Sequence, residues 1–297
     1  MLKSSSPTRD KRYVSIRFKG QKMIGYGSRY FATVGTTLFV FMNFVACGTQ
    51  LYQVSLEQDI EPDLANSQVE SAQYGIHSLD GWAELPIPFQ TSEQLGKAQL
   101  RGLLNAMRTW ETATGKTLFS YDGKDNKSGD SFNDLYSSLD DQVNGHYLDN
   151  VWDKTGKSSL VLATTIWNND YRNPQSIETG DIRFNSEYYV IGDSLELSYS
   201  DISDHREIVD MESLALHELG HLLGLGHIAS DVDPLSIMNP SLFIGEGLTS
   251  RHLSEGDVQR IQDIYGCDGD ACDIDWVMSA LDKIQANSDN QVQLAQP

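Results

Sequence analysis

The stretch "LALHELGHLLGLGHIASDVDPLSIMNPS", Leu214 to Ser241, decides how this chain is read. It holds three of the seven histidines, His217, His221 and His227, at intervals of four and then six residues. Four residues make about one helical turn, so His217 and His221 share a face and can offer both imidazoles to one metal ion. Glu218 flanks that ion without being forced to bind it, the place of a carboxylate that takes a proton from an activated water. On a continuing helix His227 would stand about 240° further round than His221. Gly224 resolves this, because a glycine can take positive φ without steric cost, end the helix and let the chain bring His227 back toward the ion. Three protein ligands with a fourth position open are what a catalytic zinc site requires. Five positions fixed in this way arise by chance in a chain of this length with a probability on the order of 10⁻⁵. A buried helix with incidental histidines is therefore the weaker reading.

The pattern His217-Glu218-x-x-His221-x-x-Gly224-x-x-His227, followed by "SIMNP", resembles the metzincin zinc metallopeptidases. In that resemblance Met238 is the methionine of a tight Met-turn that forms an apolar floor beneath the imidazoles. Pro240, two residues on, is similar to the matrixin branch, as are "AMRTWETATGKTLF", "GDIRFN" and "RHLSEGDVQRIQDIYG", the last resembling the closing helix of bacterial matrixin-like domains. Ile228 departs from the Ser or Thr usual after the third histidine, which leaves the subfamily open. The resemblance implies an α+β metzincin (zincin) fold, a twisted mixed β-sheet with an active-site helix, a Met-turn and a C-terminal helix. It implies one catalytic Zn2+, Glu218 as catalytic base, protein or peptide substrates, and a pocket wall from Ile237, Asn239, Pro240 and Leu242. A non-catalytic zinc-binding surface or interaction module of the same fold is the alternative, against which the intact Glu218 argues. Ca2+ is common in the family, and "DGKDNKSGD" is Asp-rich enough to bind it, but EF-hand spacing is missing and a solvated loop reads better. His146 and His205 stand alone and read as surface residues.

Composition bounds the rest. The 297 residues suffice for an ample core, and 39% hydrophobic with 22% charged residues is ordinary for a globular chain. The formal charge of -20 divides into +7 before Cys47 and -27 from there on. A surface so acidic repels phosphate backbones, which argues against a nucleic-acid partner. Residues 1–46 read as a basic leader and signal peptide, since the apolar run Phe31 to Ala46 is short and interrupted by Thr. "FVAC" at its end resembles the lipobox of bacterial lipoproteins, which would make Cys47 a lipidation site and the only membrane contact an N-terminal anchor. A plain cleaved signal and an uncleaved anchor remain the rivals. The location implied is extracytoplasmic, in the cell envelope or secreted. Lipidation would leave Cys267 and Cys272 as a pair able to form a disulfide.

Residues 47–75 read as a flexible tether, 76–267 as the catalytic domain of a monomer, and 268–297 as a short helix with a disordered tail. Within the domain, Trp82 to Gln90 reads as a first strand confined by its prolines to a sheet edge or strand ends. Thr91 to Gln94 reads as a capping box ahead of a helix carrying Leu100, Leu103, Leu104, Met107 and Trp110 and stopped by Gly115. "KTLFSY" and "GDIRFN" read as strands, residues 122–134 as a loop, and "SSLVLATTIW" as a central strand. "SLELSYS" reads as an edge strand. Asp210 and Ser254 are N-caps of two further helices, the second ending at Gly266.

Overall fold

A computed structural model of the chain describes residues 80–136, 141–170 and 173–295, together with the backbone of three short strands nearer the N-terminus. Cys47 and most of the leader and of the tether lie outside the described residues. The chain falls into two compact units, Met1–Asn43 and Phe44–Pro297. In the first, β1 (Ser15–Phe18) and β2 (Gln21–Ile24) pair antiparallel. Everything below concerns the second.

Its main sheet contains β4 (Gly81–Trp82), β5 (Ile87–Ser92), β6 (Phe119–Asp125), β7 (Gly145–Asp149), β8 (Ala163–Asp170) and β9 (Asn173–Asn185). The order is β4-β9-β7-β5-β6, all pairs parallel, with β8 antiparallel along the other side of β9. Two further pairs stand apart, β10 (Tyr189–Gly192) parallel to β11 (Glu207–Asp210), and β3 (Tyr52–Ser55) antiparallel to β12 (Ser241–Ile244). Five helices complete the unit: α1 (Lys97–Thr114), α2 (Phe132–Tyr136), α3 (Met211–Leu222), α4 (Glu255–Tyr265) and α5 (Ile274–Ala295). Among the described residues no helix is long and apolar enough to cross a membrane.

The core lies where α1 and α3 pack on each other and on the sheet. Leu103, Ala106, Met107, Trp110 and Ala113 recur at helical spacing along α1 and are all buried there. Gly115 stops the helix with φ 70°, its N–H donating to the Glu111 carbonyl. The start of α1 differs from the capping box read in the sequence. Thr91 and Ser92 are held extended in the β5–β6 ladder, Ser92 Oγ accepts from the Gln94 N–H, and the N-cap is Gly96. Once the sheet takes these two residues, their side chains cannot cap a helix that begins five residues later.

Four other strand and loop readings need correction. Trp82 to Gln90 is not one strand but parts of two, β4 and β5, and β5 is internal with its prolines at its start, in keeping with the strand-end alternative; Pro88 is tolerated because β7 joins β5 only from Gln90 onward, so its missing N–H interrupts no ladder on that side. Among the described residues β8 is an edge rather than a central strand, pairing only with β9, and α3 supplies the cover that a second neighbour would have given. "SLELSYS" forms a turn and a short 3₁₀ segment, because the Asp193 carboxylate and carbonyl collect the N–H groups of Leu195, Glu196 and Leu197. The Asp-rich stretch from Asp122 to Asp134 is partly ordered into β6 and α2, and α5 runs well beyond a short helix, burying Val277 and Leu281 in the main core.

The second face of β7 carries a small cluster of Leu135, Tyr147 and Val151. Here Lys127 Nζ lies 3.2 Å from Asp125 Oδ2, pairs with Asp141 and donates to Tyr147 Oη at 3.2 Å. Arg183, on β9, is 1% exposed, donates to Asp181 at 3.1 Å and to the Leu135 carbonyl, and stacks over the Tyr136 ring. Asp125, Asp141 and Asp181 thus face side-chain cations, while Asp130 accepts from the Gln94 and Asn150 amides and Asp134 from the Ser128 N–H.

His146 is not a surface residue. It is fully buried against Phe89, with Nδ1 3.2 Å from the Gln90 carbonyl oxygen and Nε2 without a partner, and burial lowers its pKa to about 4. His205 is exposed. The unfolded chain binds a proton at His146 below about pH 6.5 that the folded chain refuses until about pH 4, so stability falls as pH falls through that window. The full contribution is about 3 kcal/mol. Urea midpoints at pH 7 and pH 4.5 should drop less for His146→Leu than for the wild type, and equal drops would show that His146 does not drive the loss.

Candidate metal centre

α3 begins at Asp210, whose Oδ2 accepts from the Ser213 N–H at 3.0 Å and from Ser213 Oγ at 2.7 Å. Arg251, itself buried, donates to both oxygens of Asp210 and to Asp193 Oδ1, so the N-terminal end of the helix is tied to the loop before α4. The helix carries His217, Glu218 and His221 into the core, all at most 2% exposed. It ends where Gly224 takes φ 101°, with the Leu225 N–H donating to the Gly220 carbonyl. His227 returns to the same point. The three Nε2 atoms lie 3.0 Å (His217 to His221), 3.1 Å (His221 to His227) and 3.2 Å (His217 to His227) apart.

The hydrogen bonds on the far side of two rings fix their tautomers. His217 Nδ1 lies 2.6 Å from the Ile237 carbonyl oxygen and His221 Nδ1 2.8 Å from that of Leu225. A carbonyl only accepts, so both Nδ1 atoms carry the proton and both Nε2 atoms present lone pairs. Burial pulls the pKa of His221 down to about 4, and burial with the neighbouring imidazoles holds His217 and His227 well below the usual imidazole value, so all three are neutral at pH 7. Lone pairs crowded at about 3 Å repel unless a cation sits among them, and neutral imidazoles are the donors such a cation needs. The donor set therefore fits zinc. Among the described residues this is the only cluster able to hold a metal ion.

Glu218 is not aimed at solvent. Its Oε2 accepts from Thr165 Oγ1 on β8 at 2.6 Å, and burial raises its pKa to about 7, partly offset by that hydroxyl. Met238 is fully buried under the histidines' helix, its carbonyl accepting from the Ile228 N–H at 3.0 Å. Ile228 therefore sits in the core and ties the segment after His227 to the Met-turn. A Cβ at Gly220 would lie 2.3 Å from Met238 Sδ and 3.1 Å from Trp110 Cζ2, while Trp110 is pinned by its indole N–H on the Leu216 carbonyl. Gly220→Ala should therefore displace the methionine floor, cost about 1–3 kcal/mol by overpacking and weaken zinc retention. Urea denaturation with and without zinc checks this, and an unchanged midpoint in both would contradict it.

The remaining residues named from the sequence are placed as follows. Ile237 and Leu242 are buried in the core, Asn239 is half-buried with its amide donating to the Asp233 and Ser236 carbonyls, and Pro240 is exposed. Cys267 and Cys272 are joined in a disulfide just after α4. Three supports had no sequence signal of their own. Asp257, known from sequence only as a position in the first turn after Ser254, accepts from Ser236 Oγ, the Ile237 N–H, the Ser254 N–H and Arg260. Trp82 Nε1 donates to the Leu222 carbonyl at 2.6 Å, and Tyr265 Oη to that of Leu223 at 2.9 Å, satisfying the end of α3.

A sequence model of the matrixin family matches residues 141–266, a span that contains the three histidines, Glu218 and Met238. That segment of the chain is similar to matrixins. Similarity to individual proteins is local. The chain is 50% identical over 58 residues to Metalloendoproteinase 2-MMP of Arabidopsis thaliana, covering 20% of this chain and 14% of that protein. It is 46% identical over 59 residues to Metalloendoproteinase 5-MMP of the same plant, covering 20% and 15%. To Metalloendoproteinase 1 of Glycine max it is 44% identical over 57 residues, covering 19% and 17%. The matrixin match begins after α1, so the helix that pins Leu216 through Trp110, and the Trp82 clamp, lie outside it.

Proposed function

We propose that the chain is a zinc-dependent metalloendopeptidase. The observation that carries this reading is the convergence of three neutral imidazoles on one point beside a buried carboxylate. Zinc held by His217, His221 and His227 supplies Lewis acidity toward a peptide carbonyl and a water ionisable near neutral pH. Glu218 takes a proton from the attacking water as its oxygen bonds to the carbonyl carbon, then delivers that proton to the amine as the carbon–nitrogen bond breaks. A carboxyl with a pKa near neutrality suits both halves of the task. The extended substrate adds to the free edge of β8 by backbone hydrogen bonds, with Ile237, Asn239, Pro240 and Leu242 walling the pocket beyond the cut.

The catalytic domain is assigned to residues 76–267 of a monomer acting on proteins or peptides. The basic leader with its apolar run ending at Cys47 and the Cys267–Cys272 disulfide support an extracytoplasmic location, and the lipobox-like Phe44-Val45-Ala46-Cys47 supports Cys47 as a lipid anchor. N-terminal mass spectrometry of the exported protein reads that anchor directly. For the activity, the zinc-loaded protein is incubated with an unstructured protein substrate. Cleavage that stops on chelation and returns with added zinc supports the peptidase. A zinc-loaded protein that leaves the substrate intact is a binding module.

A further inference from the structure

Thr165 lies on β8, opposite Ile182 of β9, and is fully buried. Its Oγ1 is 2.6 Å from Glu218 Oε2 and 3.2 Å from the Glu218 carbonyl oxygen. The neighbouring Thr164, equally buried, has an Oγ1 with no partner at all. Sheet packing at this point therefore does not by itself supply a partner for a threonine hydroxyl. Strand propensity does not explain Thr165 either, since valine has the same shape and fits a pleated surface at least as well. A buried hydroxyl costs stability unless bonded, and the shorter of this one's two contacts is to the carboxylate beside His217.

We infer that Thr165 is a positioning residue, holding the Glu218 carboxylate by one oxygen so that the other faces the water it deprotonates. This rests on the peptidase reading above. A glutamate has three side-chain torsions, and without a fixed second contact its carboxylate samples orientations in which neither oxygen meets the water or in which it turns toward the metal. One short hydrogen bond to Oε2 removes that freedom. The donor stands on the strand whose free edge receives the substrate, so the base and the scissile bond are referenced to the same piece of backbone. A displacement of about 1 Å at such a group can cost a hundredfold in rate.

The test uses the full chain with Thr165→Val and Thr165→Ser, each compared for turnover of a quenched peptide, zinc stoichiometry and melting temperature without metal. Thr165→Val should lower kcat by about 10- to 100-fold with KM within about twofold, the pattern of an interaction used in the transition state. Thr165→Ser, which keeps the hydroxyl, should recover kcat to within about threefold of the wild type. In metal-free protein Thr165→Val should lower Tm by about 5 °C in the wild-type background and by under about 2 °C in Glu218→Ala, because the hydroxyl then has no carboxylate to lose. If Thr165→Val does not fold, Thr165→Ala against Thr165→Ser replaces it with the same expectation. Unchanged kcat in Val, Ser as poor as Val, a change in KM alone, or equal Tm losses in both backgrounds overturns the inference while leaving the peptidase standing. A wild type that binds zinc and cleaves nothing overturns the peptidase reading and this assignment together.

Discussion

Glu218→Gln is expected to lower kcat/KM by about 10²- to 10⁴-fold while zinc stays bound one to one. Glutamine keeps the length and planarity of the side chain and can still accept from Thr165 Oγ1, so packing at this buried position is preserved. What it loses is the capacity to take a proton from water and hold it until the amine leaves. The three ligands are untouched, because Glu218 lies next to His217 in sequence but is absent from the cluster of converging nitrogens. Zinc stoichiometry and turnover, measured on the same preparation, therefore separate binding from chemistry. A Gln variant that retains more than about a tenth of wild-type turnover would exclude Glu218 as the base.

The second large effect is on stability. Asp257→Ala should cost about 3–5 kcal/mol, the range for breaking a buried ion pair from one side. Asp257 is fully buried and accepts from Ser236 Oγ at 2.5 Å, the Ile237 N–H at 2.8 Å, the Ser254 N–H at 2.9 Å and Arg260 Nη2 at 2.5 Å. Its removal leaves Arg260 with only Ser236 Oγ at 3.0 Å and the more distant Asp233 carboxylate at 3.4 Å, and releases Ile237, whose carbonyl holds the His217 ring. The same change should thus loosen zinc as well as the fold. Asp257→Asn keeps an acceptor oxygen but brings a donor toward Arg260, and should fall between. Urea denaturation and zinc titration read both effects; a loss below about 1 kcal/mol for Asp257→Ala would show that the Met-turn is held by other contacts.

Helices α1, α3 and α4 were legible because their signals are local. Asp210 and Ser254 cap as their side chains dictate, Gly115, Gly224 and Gly266 stop helices or turn the chain with positive φ, and the apolar stripe of α1 repeats every three to four residues. The histidine triad belongs to the same class, since two members are set by helical pitch and the third by one glycine. Strands β5, β6, β8 and β9 were legible but their places in the sheet were not, and β7, β10, β11 and β12 were not read at all. β8 has the composition of a central strand because α3 lies over it, and β10 and β11 pair across an intervening loop that no short-range pattern announces. In "SLELSYS" the alternation of apolar and polar residues was genuine, but Asp193 competes for the backbone and wins. Thr91 and Ser92 fail as caps for the opposite reason, their backbones being committed to β5. His146, Thr165 and Asp257 escaped because each acquires its meaning from a partner distant in sequence: Gln90, Glu218 and the Ser236–Ile237 turn respectively.

The clamp on the last turn of α3 sets a limit on how the protein can be dissected. Trp82 and Tyr265 stand 183 residues apart, the Trp82 N–H donates to Tyr265 Oη at 3.1 Å, and the two side chains serve consecutive carbonyls just before Gly224. A fragment cut to the matrixin match would include Tyr265 but begin far downstream of Trp82, leaving the Leu222 carbonyl without its indole donor. The smallest expressible unit that keeps the third histidine in place therefore starts before Trp82 and stops after Tyr265. Trimming either end loosens the same turn.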